Sequence, residues 1–307
     1  MRRFMQLDWH RVVVVAAAAL LVGARTAAAA TSTKVDCSSA SLQTAIANAA
    51  PGDKLLVTGT CVGHFTIDKD LTLLGQGTAV LDANGGGSTL QIDPGTTVSV
   101  SNLRITGGGN AGIDNSGTLT LSGTTVSDNT GFFGGGIDST GTLTLRASTV
   151  TRNTAFVGGG ITSLRRFADS PTPSLTLQDS TVSDNHGDHG AGGIDSASVA
   201  GPLTLSNTKV TANSSDDGAG GILTGDTTTL NKSTVSGNTT GQIGAGIFVN
   251  SGTLTLNRST ISGNTAGQDG GGIANFFSAT VALRNATVTN NAPNNCAPAG
   301  SVAGCSG

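Results

Sequence analysis

The sequence lacks tyrosine and glutamate, and it has a single tryptophan among its 307 residues. All acidic side chains are therefore aspartates. Glutamate favours helices, whereas Gly, Thr, Ser, Asn and Asp favour strands and turns. Together with 46 glycines, these absences predict an all-β protein.

The N-terminal segment has the pattern of a signal peptide. Arg2 and Arg11 precede an apolar run at residues 12–23, and the alanines at 28–30 form a small-residue cleavage site. The run is too short to predict a membrane span. We therefore expect residues 1–30 to be removed on export, and the protein to be secreted or displayed on the surface of a bacterium.

Removal of the signal peptide makes the chain more acidic. Four arginines and one aspartate leave, so 16 basic and 19 acidic residues become 12 and 18, a net charge of -6. This charge argues against nucleic acid and anionic membranes as partners. We expect a monomer, without an integral membrane segment, whose partner is an extracellular glycan or a cell-surface component.

The four cysteines lie at the two ends of the exported chain. In an exported protein, the simplest interpretation is two local disulfides, Cys37–Cys61 and Cys296–Cys305. Metal binding is the alternative, although only His64 lies near any of them.

Seven units repeat along the chain at spacings of 24 to 33 residues. The first marker is an isoleucine after a glycine-rich run: Ile113, Ile137, Ile161, Ile194, Ile222, Ile247 and Ile273. The second is the last apolar residue of an L-T-L-like segment: Leu121, Leu145, Leu177, Leu205, Leu230, Leu256 and Leu283. The third is the apolar residue of a T-V-S-like segment: Val126, Val150, Val182, Val210, Val235, Ile261 and Val288.

These markers predict three short strands per unit, each with period-two alternation. No unit is long enough to bury its own apolar face, but stacked units bury a continuous column. A propeller blade would need about 40 residues. The pattern therefore predicts a single-stranded parallel β-helix of about 9–10 coils over residues 54–291, followed by a disulfide-closed tail at 292–307.

Residues 31–53 are expected to cap the N-terminal end of the column. Apolar side chains recur there at helical spacing, before a Pro-Gly stop: Leu42, Ala45, Ile46 and Ala49. We predict a short amphipathic helix. The first coils fit the three markers more loosely: Ile67 and Ile92, then Leu73 and Val100, then Ile105.

An asparagine follows the third marker by three residues in all seven units. Stacked asparagines at a turn can hydrogen-bond one another and the backbone of neighbouring coils. We therefore predict a structural ladder: Asn129, Asn153, Asn185, Asn213, Asn238, Asn264 and Asn291.

The chain resembles right-handed parallel β-helix proteins of the pectate-lyase-like superfamily. The units "GGGIDS…STVTRNT" and "GAGIFVN…STISGNT" also resemble repeats of bacterial polymorphic outer-membrane proteins, and "SLQTAIANAAPGDKLLVTGTC" resembles the N-terminal cap of exported members. The resemblance covers residues 37–291. It implies a right-handed coil, but this fold carries lyases, hydrolases, epimerases, adhesins and binding proteins alike.

One ionisable cluster is predicted where turns of successive coils stack about 4.8 Å apart. As a catalytic acid/base set acting on a sugar, it would comprise His189, Asp188, Asp216 and Asp217. As a metal site, with calcium the candidate ion, it would comprise Asp184, His186 and Asp188. The alternative interpretation is a polar surface turn. A nearby insertion adds Arg165, Arg166 and Asp169, which the coil pattern assigns to a different edge.

The motifs of the superfamily's enzymes are not reproduced. Polygalacturonase-type hydrolases place an Asp-Asp pair before Gly-His-Gly, whereas here "DHG" precedes "SDD". Without Trp or Tyr in the exported chain, only phenylalanines remain to stack on a sugar: Phe132, Phe133, Phe156, Phe276 and Phe277. Turn or core packing is the competing interpretation of these rings.

Outward positions of the second strand form a threonine array similar to the flat face of ice-binding solenoids: Thr118/Thr120, Thr142/Thr144, Ser174/Thr176, Pro202/Thr204, Thr227/Thr229, Thr253/Thr255 and Thr280/Ala282. Threonine is also an ordinary outward strand residue.

From the sequence as a whole, we predict an adhesin-like or glycan-associated interaction module without catalysis. The alternatives are a polysaccharide lyase, hydrolase or epimerase, and an ice-binding solenoid.

Overall fold

The computed structural model describes residues 30–166, 172–197, 201–277 and 279–305. The predicted signal peptide, apart from its last residue, and Asp169 lie outside them. The chain winds into a parallel β-solenoid of about 10 turns. The predicted all-β parallel architecture is confirmed.

Each full coil contributes strands to sheets that run along the solenoid. The long sheet has 11 strands in the described residues: Ser32–Asp36, Lys54–Thr58, Leu71–Gly75, Thr97–Ser101, Thr118–Ser122, Thr142–Arg146, Ser174–Gln178, Leu203–Ser206, Thr227–Asn231, Thr253–Asn257 and Thr280–Arg284. The Val sheet, which carries the third marker, follows it in each coil: Thr60–Val62, Val80–Asp82, Arg104–Thr106, Thr125–Ser127, Thr149–Thr151, Thr181–Ser183, Lys209–Thr211, Thr234–Ser236, Thr260–Ser262 and Thr287–Thr289.

Two further sheets complete the coil. The short sheet comprises Thr130–Phe133, Thr154–Val157, His186–His189, Ser214–Ser215, Thr239–Thr240 and Thr265–Ala266. The Ile sheet, which carries the first marker, comprises Phe65–Ile67, Leu90–Ile92, Ile113–Asn115, Ile137–Ser139, Ile161–Ser163, Ile194–Ser196, Ile222–Thr224, Ile247–Val249, Ile273–Ala274 and Cys296–Ala297.

Three strands per coil were predicted, but six coils have a fourth strand, which belongs to the short sheet. Its inward positions are Gly131, Ala155 and Gly187, in register with one another. Because none of them is a large apolar residue, the strand has no period-two hydrophobic signal. The sequence pattern therefore suggests a turn where six coils in fact form a fourth strand.

In the first coils, the residues that align with the first marker lie two positions before those predicted. Ile113 pairs with Leu90, and Leu90 pairs with Phe65. Ile92 instead pairs with Asn115, so the predicted alignment of Ile67 and Ile92 with the first marker is wrong. Both inward positions of these early strands are apolar, which left the alignment ambiguous.

The core is a column of inward-pointing aliphatic side chains. All seven first-marker isoleucines are fully buried at 0% exposure. Full burial of such a side chain stabilises a fold by about 1.5–3 kcal/mol. Since every coil adds side chains to the same column, stability depends on keeping the coils in register.

A helix at Leu42–Asn48 packs on the N-terminal end of the column. The Ser41 side chain caps it by accepting a hydrogen bond from the Thr44 amide at 3.2 Å, and Leu42 and Ile46 are buried. At its other end, Lys69 Nζ donates to the carbonyl oxygen of Ile46 at 3.3 Å. A cation there complements the helix dipole.

Both predicted disulfides, Cys37–Cys61 and Cys296–Cys305, are present. The first ties the N-terminal segment to the first Val-sheet strand, and the second ties the last Ile-sheet strand to the tail. Within the described residues, no helix has the length and apolar character needed to cross a bilayer.

The asparagines stack into a continuous buried ladder at the bend between the Val and short sheets. Each backbone amide donates to Oδ1 of the asparagine in the next coil at 3.0–3.1 Å, and each Nδ2 donates to the same oxygen at 2.8–3.0 Å. Nδ2 also donates to the third-marker carbonyl of the preceding coil at 3.0–3.3 Å. The ladder ends on Asn295 Oδ1, which accepts from Asn291.

A second ladder, made of hydroxyl groups, lies at the bend between the long and Val sheets. Ser148 Oγ donates to the carbonyl of Arg146 at 2.8 Å and accepts from the Thr124 amide at 3.2 Å. The same arrangement recurs at Ser180 and Ser233. Its sequence signal is a serine or threonine two residues before the third marker, which the repeat analysis did not use.

Replacement of one ladder asparagine should destabilise the protein strongly. In Asn213→Ala, the amide and Nδ2 of Asn185 lose their shared acceptor, and the Val182 carbonyl loses a donor. Each buried unsatisfied group costs about 1–3 kcal/mol. We therefore expect the free energy of unfolding, measured by urea denaturation and circular dichroism, to fall by about 3 kcal/mol or more.

Asn250→Ala is the matched control, since Asn250 is half-buried and its side chain makes no hydrogen bond within the described residues. Its unfolding free energy should change by less than about 0.5 kcal/mol. Equal losses in the two variants would contradict a structural role specific to the ladder.

Candidate functional site

A cluster of ionisable side chains lies on the outer face of the short sheet. His186 and Asp188 stand on one strand, and Asp216 follows the strand of the next coil. His186 Nε2 is 3.4 Å from Asp188 Oδ1 and 3.9 Å from Asp216 Oδ1. Ligand atoms of the three residues lie within 4.8 Å of one another, close enough to hold a single cation.

Ser214 orients the imidazole of this cluster. His186 Nδ1 lies 2.9 Å from Ser214 Oγ, so a proton on Nδ1 leaves Nε2 as the lone-pair nitrogen facing the carboxylates. Outer hydrogen bonds of this kind fix the tautomer of metal-binding histidines. One nitrogen and two carboxylates suit Zn²⁺ better than Ca²⁺, which prefers oxygen ligands alone.

Asp184, named with His186 and Asp188 as a metal ligand, lies elsewhere. It occupies the bend before Asn185 with a positive φ of 56°, and its carboxylate accepts from the Thr151 hydroxyl at 3.4 Å. The three residues that come together are His186, Asp188 and Asp216.

His189 and Asp217, two of the predicted catalytic residues, are joined by a hydrogen bond at His189 Nδ1. Both side chains are partly exposed, at 46% and 42%. The His189 and Phe156 rings form a T-shaped contact with centroids 4.4 Å apart. The pair therefore borders an aromatic surface, not an enclosed pocket.

Two phenylalanines continue this surface on the preceding coils. Phe132 and Phe156 stack with centroids 4.9 Å apart and an interplanar angle of 21°. Their exposed fractions are 54% and 41%. Together, Phe132, Phe156 and His189 form a row of rings across three coils, here called the aromatic row.

A group of buried acids on the outer face of the Ile sheet was missed by the sequence analysis. Asp114 and Asp138 occupy the same outward position on neighbouring strands. Arg166, at the start of the insertion, binds the Asp138 carboxylate and places its guanidinium 4.5 Å above the Phe133 ring. The available signal was an aspartate directly after the first marker, in the recurring string "GID".

Burial sets the electrostatics of these acids. It raises the pKa of Asp138 to about 6, although the neighbouring Arg166 charge opposes the shift. Burial also raises the pKa of Asp114, again against Arg166. Asp138 Oδ1 has no hydrogen-bond partner among the described residues. Two adjacent carboxyl groups that resist ionisation are suited to acid/base chemistry.

Asp195 occupies the corresponding position two coils further on and is only 2% exposed. Burial raises its pKa to about 6, and hydrogen bonds from the backbone amides of Ala197 and Ala191 oppose the shift. No Lys, Arg or His of the described residues pairs with it.

The predicted threonine array lies on the long sheet in register. Thr120, Thr144 and Thr176 pair in sequence, and Thr227 pairs with Thr253. Ala282 pairs with Thr255 and interrupts the column. The array is regular over the middle coils, and ice binding stays a prediction.

No protein-family model matches the chain, and comparisons with curated proteins and with solved structures found no match either. A function for this protein is therefore proposed from the side chains described above.

The cluster of His186, Asp188 and Asp216 predicts Zn²⁺ binding that depends on the imidazole. His186→Ala removes the nitrogen ligand, so we expect Zn²⁺ affinity measured by calorimetry to fall at least about tenfold. Asp184→Ala removes a carboxylate from outside the cluster and should leave the affinity unchanged. Equal affinity in the wild type and His186→Ala would contradict this assignment.

The raised pKa of Asp195 predicts a contribution to the unfolding free energy that decreases as pH rises. Its folded-state pKa of about 6 exceeds the ordinary value near 3.9, so the folded protein binds the proton more tightly. The contribution of Asp195 to the unfolding free energy should be greatest below about pH 4, decrease between about pH 4 and 6, and level off above. The decrease for Asp195 is about 2–3 kcal/mol.

Asp195→Asn keeps an acceptor for the amide of Ala197 and removes the charge. Denaturation at several pH values should show a shallower decrease in unfolding free energy between about pH 4 and 6 than in the wild type, since the contribution of Asp195 is removed. An unchanged pH dependence would contradict the assignment to Asp195.

Proposed function

We propose that the protein is an extracellular interaction module, adhesin-like or glycan-associated, whose aromatic row binds a glycan without catalysis. The observation that carries the proposal is the exposure of Phe132 and Phe156 beside the His189–Asp217 pair. Two disulfides fit an oxidising environment outside the cytoplasm.

The chemistry of the aromatic row matches a sugar ring. A pyranose has C–H bonds on its faces and hydroxyl groups around its edge. The exposed parts of the Phe132 and Phe156 rings offer an apolar surface against which such C–H bonds can pack. His189 and Asp217 border the same surface and offer a donor and acceptors for hydroxyl groups.

The solenoid also holds the row in place before the ligand arrives. Phe132 and Phe156 stand on hydrogen-bonded strands of the short sheet, and His189 stands on the next strand. A surface built on a rigid element loses little conformational entropy on binding.

We also propose that the chain belongs among right-handed β-helix proteins with repeats of the polymorphic-outer-membrane type. The G-G-x-I and asparagine positions of its units support this assignment.

Polysaccharide cleavage is the second candidate function. It is supported by Asp114 and Asp138, two neighbouring carboxyl groups with raised pKa values beside Arg166. Glycoside hydrolysis uses such a pair, one carboxyl group protonated and the other ionised. This site differs from the predicted catalytic set of His189, Asp188, Asp216 and Asp217, which lies on the more exposed short sheet.

Retention on polysaccharides tests the proposal directly. Purified protein is mixed with insoluble cellulose, chitin, peptidoglycan and cross-linked polygalacturonate, and the bound fraction is measured. We expect retention on at least one polymer and a roughly tenfold weaker affinity for Phe132→Ala/Phe156→Ala, because stacking on two rings is lost. Phe276→Ala/Phe277→Ala is the control, since these rings are also exposed, at 40% and 63%, but lie elsewhere.

Three outcomes separate the candidates. Loss of retention only in Phe132→Ala/Phe156→Ala supports glycan binding by the aromatic row. Equal retention of all variants, or none by the wild type, contradicts it. Release of new sugar ends by the wild type, abolished in Asp138→Asn, establishes the cleavage function instead.

A further inference from the structure

Three cationic side chains lie close together at the ends of the last three strands of the long sheet, and none of them has an acidic partner among the described residues. Lys232, Arg258 and Arg284 have no acidic partner within salt-bridge distance among the described residues. By contrast, Arg104 and Arg152 share the Asp128 carboxylate, at 2.7 and 2.8 Å. The three side chains therefore form a local excess of positive charge in a chain whose net charge is -3.

Geometry brings the three cations to one groove. They line a cavity of about 290 Å³ at the corner between the long and Val sheets, together with Asn231, Asn257 and Asn285. Arg284 is in register with Asn257, and Asn257 with Asn231. Lys232 and Arg258 each follow these strand ends by one residue. The cations are therefore spaced along the solenoid axis at coil intervals of about 4.8 Å.

The backbone does not require cations at these positions. Lys232 and Arg258 have positive φ values of 50° and 52°, a conformation that suits asparagine or glycine better than lysine or arginine. The same bend in earlier coils holds Asp179 and Asn207. The bend itself therefore does not account for the two basic side chains.

We propose that this groove binds a polysaccharide that carries sulfate or phosphate esters. Arginine and lysine supply charge-assisted hydrogen bonds to such oxyanions. Asn257 Nδ2 donates to Asn231 Oδ1 at 2.9 Å, and the remaining amide N–H groups of the three asparagines add neutral donors for ester and hydroxyl oxygens. Donors converging from several coils fit a tetrahedral anion, which accepts in several directions, better than a planar carboxylate.

The groove is separate from the aromatic row. It lies at the corner before the Val sheet, whereas the row lies on the short sheet that follows. The inference does not rest on glycan binding by Phe132 and Phe156, and either surface can fail its test alone.

Binding to dextran sulfate, measured by biolayer interferometry at low and high salt, tests the proposal. We expect the wild type to bind, with an affinity that decreases as salt rises, and not to bind neutral dextran. Lys232→Gln/Arg258→Gln/Arg284→Gln should bind at least about tenfold more weakly. The control Lys34→Gln/Lys54→Gln/Arg146→Gln removes the same charge from other parts of the long sheet and should bind within twofold of the wild type.

Phosphorylated dextran separates the two esters, and binding to either one supports the proposal. Thermal melting checks that both triple variants are folded. Equal weakening in the two triple variants would overturn the proposal, because net charge alone would explain it. Binding to polygalacturonate but to neither ester polymer would also overturn it, as would binding to none.

Discussion

The buried asparagine ladder is the interaction on which the rest of the solenoid depends. Each carboxamide accepts two hydrogen bonds from the preceding coil through Oδ1, and its Nδ2 donates one to the preceding coil and one to the asparagine of the next coil. All four of its hydrogen-bonding positions are thereby used inside the protein, so burial leaves nothing unsatisfied. A one-residue slip would break these bonds and turn the isoleucines outward.

The in-register stacking of the coils determines which residues become neighbours on the outer surface of the solenoid. Neighbouring residues on the outside come from successive coils, so each site draws on one or two residues per coil. Phe132 and Phe156 are 24 residues apart, as are Asp114 and Asp138. The stacked coils hold such residues together without a dedicated loop. Changes at a few outward positions can therefore create a new surface while the core stays the same.

Much of the fold was predictable because the core repeats. The markers and the asparagines mark the same positions in every unit, so periodicity alone indicates parallel stacking. The short sheet was not predictable, since Gly131 and Ala155 leave no hydrophobic alternation. The ion pair of Asp138 with Arg166 was not predictable either, because Arg166 folds back from an insertion. The cluster of His186 and Asp216 was predictable, since both follow ladder asparagines.

Hydrogen exchange of the asparagine side chains tests the central claim most directly. In an NMR spectrum of the folded protein, the carboxamide protons of Asn153, Asn185 and Asn213 should exchange with solvent far more slowly than those of exposed Asn102, because they are buried and hydrogen-bonded. This result would establish the ladder. Exchange as fast as that of Asn102 would contradict it, and with it the register that positions every surface described above.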